Sequence, residues 1–469
     1  MVKAEKSRRL VWLAAFFAAA ALLTLPALYN GFPLLFPDTE AYMKVAYGHS
    51  WTLDRSGFYG LFMKPAALMF PGVVGPWLVI VAQCSITAAI LLMAVRQLAP
   101  GASSIVALSI IALCCVLTSV AWHSAQLMPD TFAGPLVLSV WLAASRDFDR
   151  PGTALLWLAT AFMALTHYTY LGIAAVTAAT TIAACKWFGA SFKEVAKRAL
   201  AAGAMLAAVI GIHLATNGLL VDRWAVSPTG SWFLFARLNE DGLVPLWLDR
   251  HCGKDAPADL CEIRSSLPRD SQELLWSKTS PFYPHIHGQI GSAEYWRWMD
   301  MLGIATRGSI SEHPLKFASS TIEATGRQLV SYAVLDDKCP RVCHSPAFIR
   351  FNPAVADDIR NSRQLQKTID KGLIRPVVGS ATSLALLLLL PFLWYACRKR
   401  DKDAIILLCA VTMSLIANAA MAGALSDVQD RYQSRIVWIV PFVELLLLVR
   451  WSPKLNGPPL PSEQSGSRD

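Results

Sequence analysis

Long apolar segments alternate with short polar ones along the whole chain. A helix needs about 20 apolar residues to cross a bilayer, and runs close to that length lie near 10–29, 73–95, 103–122, 131–145, 199–218, 373–396, 404–424 and 436–450. The two shortest runs, 131–145 and 436–450, are expected to extend further as helices. The region 153–185 is too long for one ordinary span and is interrupted at His167, Tyr168 and Tyr170, which indicates two short spans.

Together these runs predict an all-α polytopic membrane protein with about ten transmembrane helices. We expect an N-terminal module over 1–218 with about seven helices, and a first outer loop over 30–72. A C-terminal module of three helices follows over 373–450, and 451–469 is predicted to be a disordered cytoplasmic tail. The polar segment 219–372 predicts a mostly α-helical periplasmic domain between helices 7 and 8.

Basic residues set the predicted orientation, because Lys and Arg concentrate in cytoplasmic loops. Two spans in 153–185 place the basic positions on one side: the N-terminus, Arg96, Arg146, Arg150, the loop 186–198, Arg398–Arg400 and Arg450. One span there would move Arg398–Arg400 to the opposite side. We therefore predict a bacterial inner-membrane protein with both termini in the cytoplasm.

Composition agrees with this class. The 469 residues are 54% hydrophobic and 16% charged, and the mean hydropathy is +0.42, too apolar for a water-soluble globule of this size. The net charge of +9 is spread among the apolar runs and forms no basic stripe with interleaved aromatics, so a nucleic-acid partner is not indicated.

Four of the ten cysteines lie in the predicted periplasmic domain: Cys252, Cys261, Cys339 and Cys343. An even number in an oxidising compartment indicates two disulfides, most simply 252–261 and 339–343, although four cysteines allow three connectivities. A zinc site completed by His251 and His344 is the alternative.

The tripeptide Pro-Asp-Thr occurs at 37–39 and again at 129–131. The predicted topology places Asp38, Glu40 and Asp130 at the same membrane face, where acids are costly unless they are paired, capping or functional. Helix capping is a strong alternative for Asp130, but a single cap needs no second acid, so it explains Asp38 and Glu40 less well. Carboxylates spaced as Asp38 and Glu40 are can also bind a divalent cation.

Further motifs follow in order along the chain. An Arg-x-x-x-Tyr stretch, Arg55 to Tyr59, leads into the second span, and Arg431-Tyr432 precedes the last one. With the two acidic positions, these features resemble the GT-C superfamily of integral-membrane glycosyltransferases, which take sugars from polyprenyl-phosphate carriers at the outer face. The chain departs from that pattern by having Asp-x-Glu as its first acids, His167 where a basic or polar residue is expected, and 219–372 before the last three spans.

The resemblance implies roles for individual residues. Asp38 is predicted to be the catalytic base, with its basicity raised by nearby apolar surface. Glu40 and Asp130 would orient the acceptor or bind a divalent metal. The metal, Mg²⁺ or Mn²⁺, would be held by Asp38 and Glu40. The predicted phosphate- and donor-binding residues are Arg431, Arg435, Arg55, Lys44, Tyr59, Tyr432 and His167. Arg431 could instead pair with Asp430, and Gln83 is expected to be an interhelical hydrogen-bond partner.

We therefore expect a glycosyltransferase that moves a sugar from a polyprenyl-phosphate donor to a lipid or glycan acceptor. The alternatives are a transporter or lipid flippase, whose acids would relay ions near mid-membrane, and a non-catalytic assembly factor acting through 219–372. Acids clustered at one surface and the absence of a half-to-half repeat favour the enzyme.

Overall fold

The structure, a computed structural model, describes residues 2–146, 152–335 and 349–456. These residues form helices and loops, and their only β feature is an isolated bridge between Leu34 and Gln126. The α-helices are α1 Val2–Asn30, α2 Thr39–Ala46, α3 Phe58–Met69, α4 Val74–Leu98, α5 Ser104–Leu117, α6 Val120–Ser124, α7 Ala133–Ser145, α8 Thr153–Leu165, α9 Thr169–Trp187, α10 Phe192–Val221, α11 Gly230–Glu240, α12 Leu243–His251, α13 Ala258–Ile263, α14 Ser271–Trp276, α15 Tyr283–Ile286, α16 Ala293–Glu312, α17 Pro314–Val330, α18 Ala356–Asn361, α19 Lys371–Lys399, α20 Lys402–Leu425, α21 Asp430–Val437, α22 Ile439–Trp451 and α23 Pro453–Asn456.

Seven helical segments of the described residues are long and apolar enough to cross a membrane. They are Arg9–Asn30, Val74–Leu98, Thr169–Trp187, Phe192–Val221, Lys371–Lys399, Lys402–Leu425 and Asp430–Trp451. The membrane character predicted from the sequence is confirmed at this level. The other three predicted spans are helices of only 13 or 14 residues: α5, α7 and α8.

Two predicted segments differ in their internal structure. The run 103–122 is interrupted, since α5 ends at Leu117 and α6 begins at Val120. The region 153–185 divides into α8 and α9 around His167, as the sequence predicts. The break at His167 brings a polar residue to the junction of two apolar helices.

Helix α7 is the centre of the bundle. Every residue from Ala133 to Ala144 is buried, and α7 contacts α4, α8, α9 and α20. Gly134 permits this packing, because a Cβ there would lie 2.2 Å from the ring of Trp438 at the end of α21. The close approach fixes α21 against the bundle centre, next to the segment that carries the second Pro-Asp-Thr.

A second hydrophobic core lies outside the bundle, in the segment predicted to be a periplasmic domain. It comprises buried residues between Trp232 and Ala305, from α11 to α16, and we call this part the cap. Cys252 and Cys261 form a disulfide within it, with a Cα–Cα distance of 5.6 Å. The predicted partners Cys339 and Cys343 lie outside the described residues.

The rest of the predicted domain 219–372 packs on the bundle instead. Helix α17 lies along α20, and a Cβ at Gly423 would be 3.0 Å from the backbone of Ala324. Val355 and Ile359 belong to the hydrophobic core of the bundle. The segment therefore contains a cap with its own core. The described residues that follow the cap, including α17 and α18, pack on the helical bundle.

The disulfide generates a stability prediction. Cys252→Ser should destabilise the cap by about 2–3 kcal/mol, because the bond closes a short loop and restricts the unfolded chain. Thermal melting of the purified protein in nanodiscs, followed by tryptophan fluorescence, measures the change. Cys397→Ser removes an exposed free thiol of α19 and serves as the control. Identical melting of Cys252→Ser and the control would contradict the prediction.

Candidate functional site

The two Pro-Asp-Thr segments lie side by side. The backbone N–H of Leu34 donates to the carbonyl of Ala125 at 2.9 Å, and that of Leu127 donates to the carbonyl of Leu34 at 2.9 Å. The hydroxyl of Thr39 donates to the carbonyl of Leu127 at 3.0 Å. The loop after α1 is thus hydrogen-bonded to the chain that leads into the second Pro-Asp-Thr.

Neither aspartate caps a helix with its side chain. Asp38 precedes α2 but its carboxylate accepts no capping hydrogen bond, and Asp130 lies within a short 3₁₀ helix, Pro129–Phe132. Both carboxylates instead pair with arginines of α21. The capping alternative therefore does not account for either acid.

Helix α21 supplies the two arginines from one face. Arg431 and Arg435 are four positions apart, which places their side chains one above the other. Arg431 Nη1 is 3.0 Å from Asp38 Oδ2, and Arg435 Nη1 is 3.1 Å from Asp130 Oδ1. The alternative pairing of Arg431 with Asp430 is not what the structure contains.

Asp38 lies between two guanidiniums. Arg55 Nη1 is 2.6 Å from Asp38 Oδ1, whereas Arg431 contacts the other carboxylate oxygen, Oδ2. Burial of the carboxyl favours its neutral form, but the two arginines outweigh burial and hold the pKa of Asp38 well below its usual range. The expectation that apolar surroundings raise the basicity of Asp38 is wrong for this state of the protein.

Asp130 and Arg435 form a pair that is closed to solvent. Each side chain is only 1% exposed. Arg435 Nη2 also donates to Thr169 Oγ1 at 3.1 Å and to Asn418 Oδ1 at 3.0 Å. Burial raises the pKa of Asp130, but Arg431 and Arg435 more than offset it, so the pKa is lowered overall. An ion pair of this kind positions the surrounding helices.

A cavity of about 1020 Å³ opens beside these charges. Its polar wall includes Asp38, Arg55, His167, Arg431 and the edge of Arg435. Its apolar wall is formed by the cap and by the end of α20: Phe233, Leu234, Leu275, Trp276, Met421 and Leu425. The cavity therefore suits an amphipathic ligand with an anionic or polar head and an apolar tail.

The aromatic residues of the predicted site have different positions. Tyr432 lines the cavity, and its ring lies 5.1 Å from the Arg431 guanidinium and 5.3 Å from that of Arg435. Tyr59 is fully buried outside the cavity, where its hydroxyl donates to Gln83 Oε1 at 2.7 Å. Gln83 also donates to the carbonyls of Ser124 and Gln126, so it is the predicted interhelical hydrogen-bond partner.

Glu40 and Lys44 do not belong to the cavity wall. They lie four positions apart on α2, on the same face as one another. Burial raises the pKa of Glu40, and Lys44 and Arg55 oppose that rise. Of the two acids Asp38 and Glu40, only Asp38 lines the cavity.

The residues present do not fit the predicted divalent cation. Both oxygens of Asp38 are occupied by guanidiniums, and Glu40 does not line the cavity. Among the described residues, no group of three or more His, Cys, Asp and Glu side chains could hold a metal ion.

Several site residues were not singled out by the sequence. Thr169 and Asn418 fix Arg435, and Phe233, Leu234, Leu275 and Met421 supply apolar wall. Trp276 of the cap also lines the cavity. A polar residue inside an apolar span is the one local signal that marks Asn418.

Comparison with known proteins gives no relative: no family model, no curated protein and no solved structure matches the chain.

The buried pair generates a second prediction. Asp130→Asn should destabilise the protein by about 3–5 kcal/mol, because it leaves the guanidinium of Arg435 without a counter-charge in the bundle. Denaturation in nanodiscs measures the loss. Asp357→Asn is the matched control, since Asp357 forms an exposed pair with Arg360, and it should change the stability by less than about 1 kcal/mol.

The double variant Asp130→Leu with Arg435→Met removes both charges and should recover part of the loss. The view that the uncompensated charge causes the loss would be contradicted if the double variant were less stable than Asp130→Asn by the whole destabilisation that Arg435→Met causes alone.

Proposed function

We propose that the protein is a membrane glycosyltransferase that moves a sugar from a polyprenyl-phosphate donor to a hydroxyl of a lipid or glycan acceptor. The observation that carries this proposal is the cavity whose polar wall holds Asp38 between Arg55 and Arg431 and whose other wall is apolar. The sequence resemblance to the GT-C superfamily adds to it, on Asp38, Asp130, Arg55 and Arg431.

The two kinds of wall match the two parts of such a donor. Arg431 is held over the ring of Phe36 at 4.1 Å and contacts Asp38 through one nitrogen, so its planar guanidinium has further N–H groups for phosphate. The apolar wall from α11, α14 and α20 would contact the first isoprene units. The acceptor hydroxyl would approach Asp38 from the cavity.

Donor binding would also activate the base. A phosphate bound by the remaining N–H groups of Arg431 and by Arg55 adds negative charge beside Asp38 and shares the positive charge that stabilises its carboxylate, which moves the pKa of Asp38 upward toward its ordinary value. Asp38 then accepts the proton of the acceptor hydroxyl while that oxygen bonds to the anomeric carbon. The bond from the anomeric carbon to the phosphate oxygen breaks, and polyprenyl phosphate leaves with the electron pair.

The location we propose is the bacterial inner membrane, with both termini cytoplasmic and the cap periplasmic. The basic residues near Arg96 and Arg398–Arg400 support this orientation, and the disulfide of the cap supports an oxidising compartment.

One observation favours the transporter or flippase as a second candidate. Glu444 lies within α22, is 5% exposed, and its Oε1 is buried without a hydrogen-bond partner among the described residues. An unpaired acid inside a membrane helix is typical of proton- or ion-coupled transport.

The deciding experiment uses purified protein in proteoliposomes with a panel of radiolabelled polyprenyl-phosphate hexoses and acceptor lipids or glycans. Wild type should transfer the sugar, and Asp38→Asn should lower the rate by at least about 100-fold. Asp357→Asn is the control, because Asp357 forms an exposed ion pair with Arg360 and does not line the cavity. Equal rates for wild type and Asp38→Asn would remove Asp38 as the base.

The same vesicles test the second candidate. Suppose that wild type takes up a solute or flips a lipid without consuming any sugar donor, and that Glu444→Gln abolishes this activity. Transport would then replace the glycosyltransferase proposal.

The ion pairs of Asp38 also predict a pH profile. Since the free protein keeps the pKa of Asp38 well below its usual range, the carboxylate stays ionised throughout pH 5–8 and is protonated only at lower pH. The quantity kcat/KM, which reports groups of the free enzyme, should therefore show no loss toward pH 5 from Asp38. This prediction would be contradicted if kcat/KM of wild type fell below about pH 6 and the residual kcat/KM of Asp38→Asn did not.

A further inference from the structure

His167 has a fixed hydrogen-bonding direction in the connection between α8 and α9. The backbone N–H of Thr169 donates to His167 Nδ1 at 3.3 Å, and the hydroxyl oxygen of Thr169 is 2.8 Å from the same nitrogen. A backbone amide can only donate, so Nδ1 must be an acceptor without a proton. The neutral imidazole then carries its proton on Nε2.

The hydroxyl of Thr169 connects this histidine to the buried pair. Thr169 Oγ1 accepts from Arg435 Nη2 at 3.1 Å, which leaves its own proton free to donate to His167 Nδ1. Arg435 is in turn fixed by Asp130 and Asn418. A chain of side-chain hydrogen bonds therefore runs from Asp130 through Arg435 and Thr169 to His167, and each side chain orients the next.

The nearby charges keep the imidazole neutral. Burial and the guanidiniums of Arg435 and Arg431 lower the pKa of His167 to about 3, and the carboxylates of Asp130 and Asp38 do not offset them. His167 lines the cavity, and no described residue forms a hydrogen bond with its Nε2. A neutral imidazole N–H thus faces the cavity that Asp38 and Arg431 also line.

We propose that His167 is a substrate-binding residue, which donates its Nε2–H to an oxygen of the donor's sugar-phosphate head, and that Thr169, Arg435 and Asp130 are positioning residues for it. This inference rests on the proposed function for the identity of the ligand. The oxygen belongs either to the phosphate or to a sugar hydroxyl, since both accept a hydrogen bond from a neutral imidazole.

The nitrogen of His167 that carries the proton can be identified without any ligand. NMR of the full-length protein with ¹⁵N-labelled histidine, compared with His167→Gln to assign the signal, should show Nε2 protonated and Nδ1 unprotonated from pH 5 to pH 8. Thr169→Ser should keep this signal, and Thr169→Val should change the Nδ1 shift. A proton on Nδ1, or titration near the ordinary histidine pKa, overturns the inference.

Binding to two lipids tests the ligand. The probes are a polyprenyl phosphate and the same lipid carrying a hexose, titrated into nanodisc-embedded wild type, His167→Ala and His167→Gln. Loss of one neutral hydrogen bond should weaken binding about threefold to tenfold in His167→Ala, while the amide N–H of His167→Gln should keep most of the affinity. Equal weakening for both lipids identifies the phosphate, and weakening for the hexose lipid alone identifies a hydroxyl.

The outcomes separate the inference from the proposed function. If wild type binds the lipids and His167→Ala binds them equally well, the role of His167 is overturned and the glycosyltransferase proposal stands. If wild type binds neither lipid, the proposed function and the ligand assigned to His167 both fail, and the NMR result still decides the direction of the N–H.

Discussion

The site depends on two arginines that occupy one face of α21. Arg431 reaches the aspartate of the first Pro-Asp-Thr and Arg435 reaches the aspartate of the second, so one short helix joins the loop after α1 to the segment before α7. Taking these charges out of water is costly unless each is paired, and the pairing fixes the register of three separate stretches of chain. In both copies of the tripeptide, the aspartate is paired with an arginine of α21.

The two pairs have unequal access to solvent, and their chemical roles follow from that difference. Asp130 and Arg435 are closed off and hold neighbouring side chains in place. Asp38 is a quarter exposed, lies at the cavity, and shares its charge between two guanidiniums. A ligand in the cavity can compete for Arg55 and Arg431, the partners of Asp38, whereas Arg435, the partner of Asp130, lines the cavity with a side chain that is only 1% exposed.

Much of the architecture could be predicted from the sequence because bilayer thickness imposes a length on apolar helices. The division of 153–185 was predictable since His167 interrupts an apolar run. The proximity of Asp38 and Asp130 was predicted as a shared membrane face, but their arginine partners could not be assigned individually, because a side-chain pairing across hundreds of residues depends on tertiary packing. Glu40 and Tyr59 show the same limit: a motif gives the residue type, and the helix rotation decides which face it occupies.

The cavity is built from two folding units with separate cores. The charged wall belongs to the membrane bundle, while Phe233, Leu275 and Trp276 belong to the cap. Evolution can therefore vary the shape of the apolar wall through the cap without disturbing the ionic framework beneath it. Such a division allows one ionic framework to be combined with different ligand preferences through small substitutions in α11 and α14.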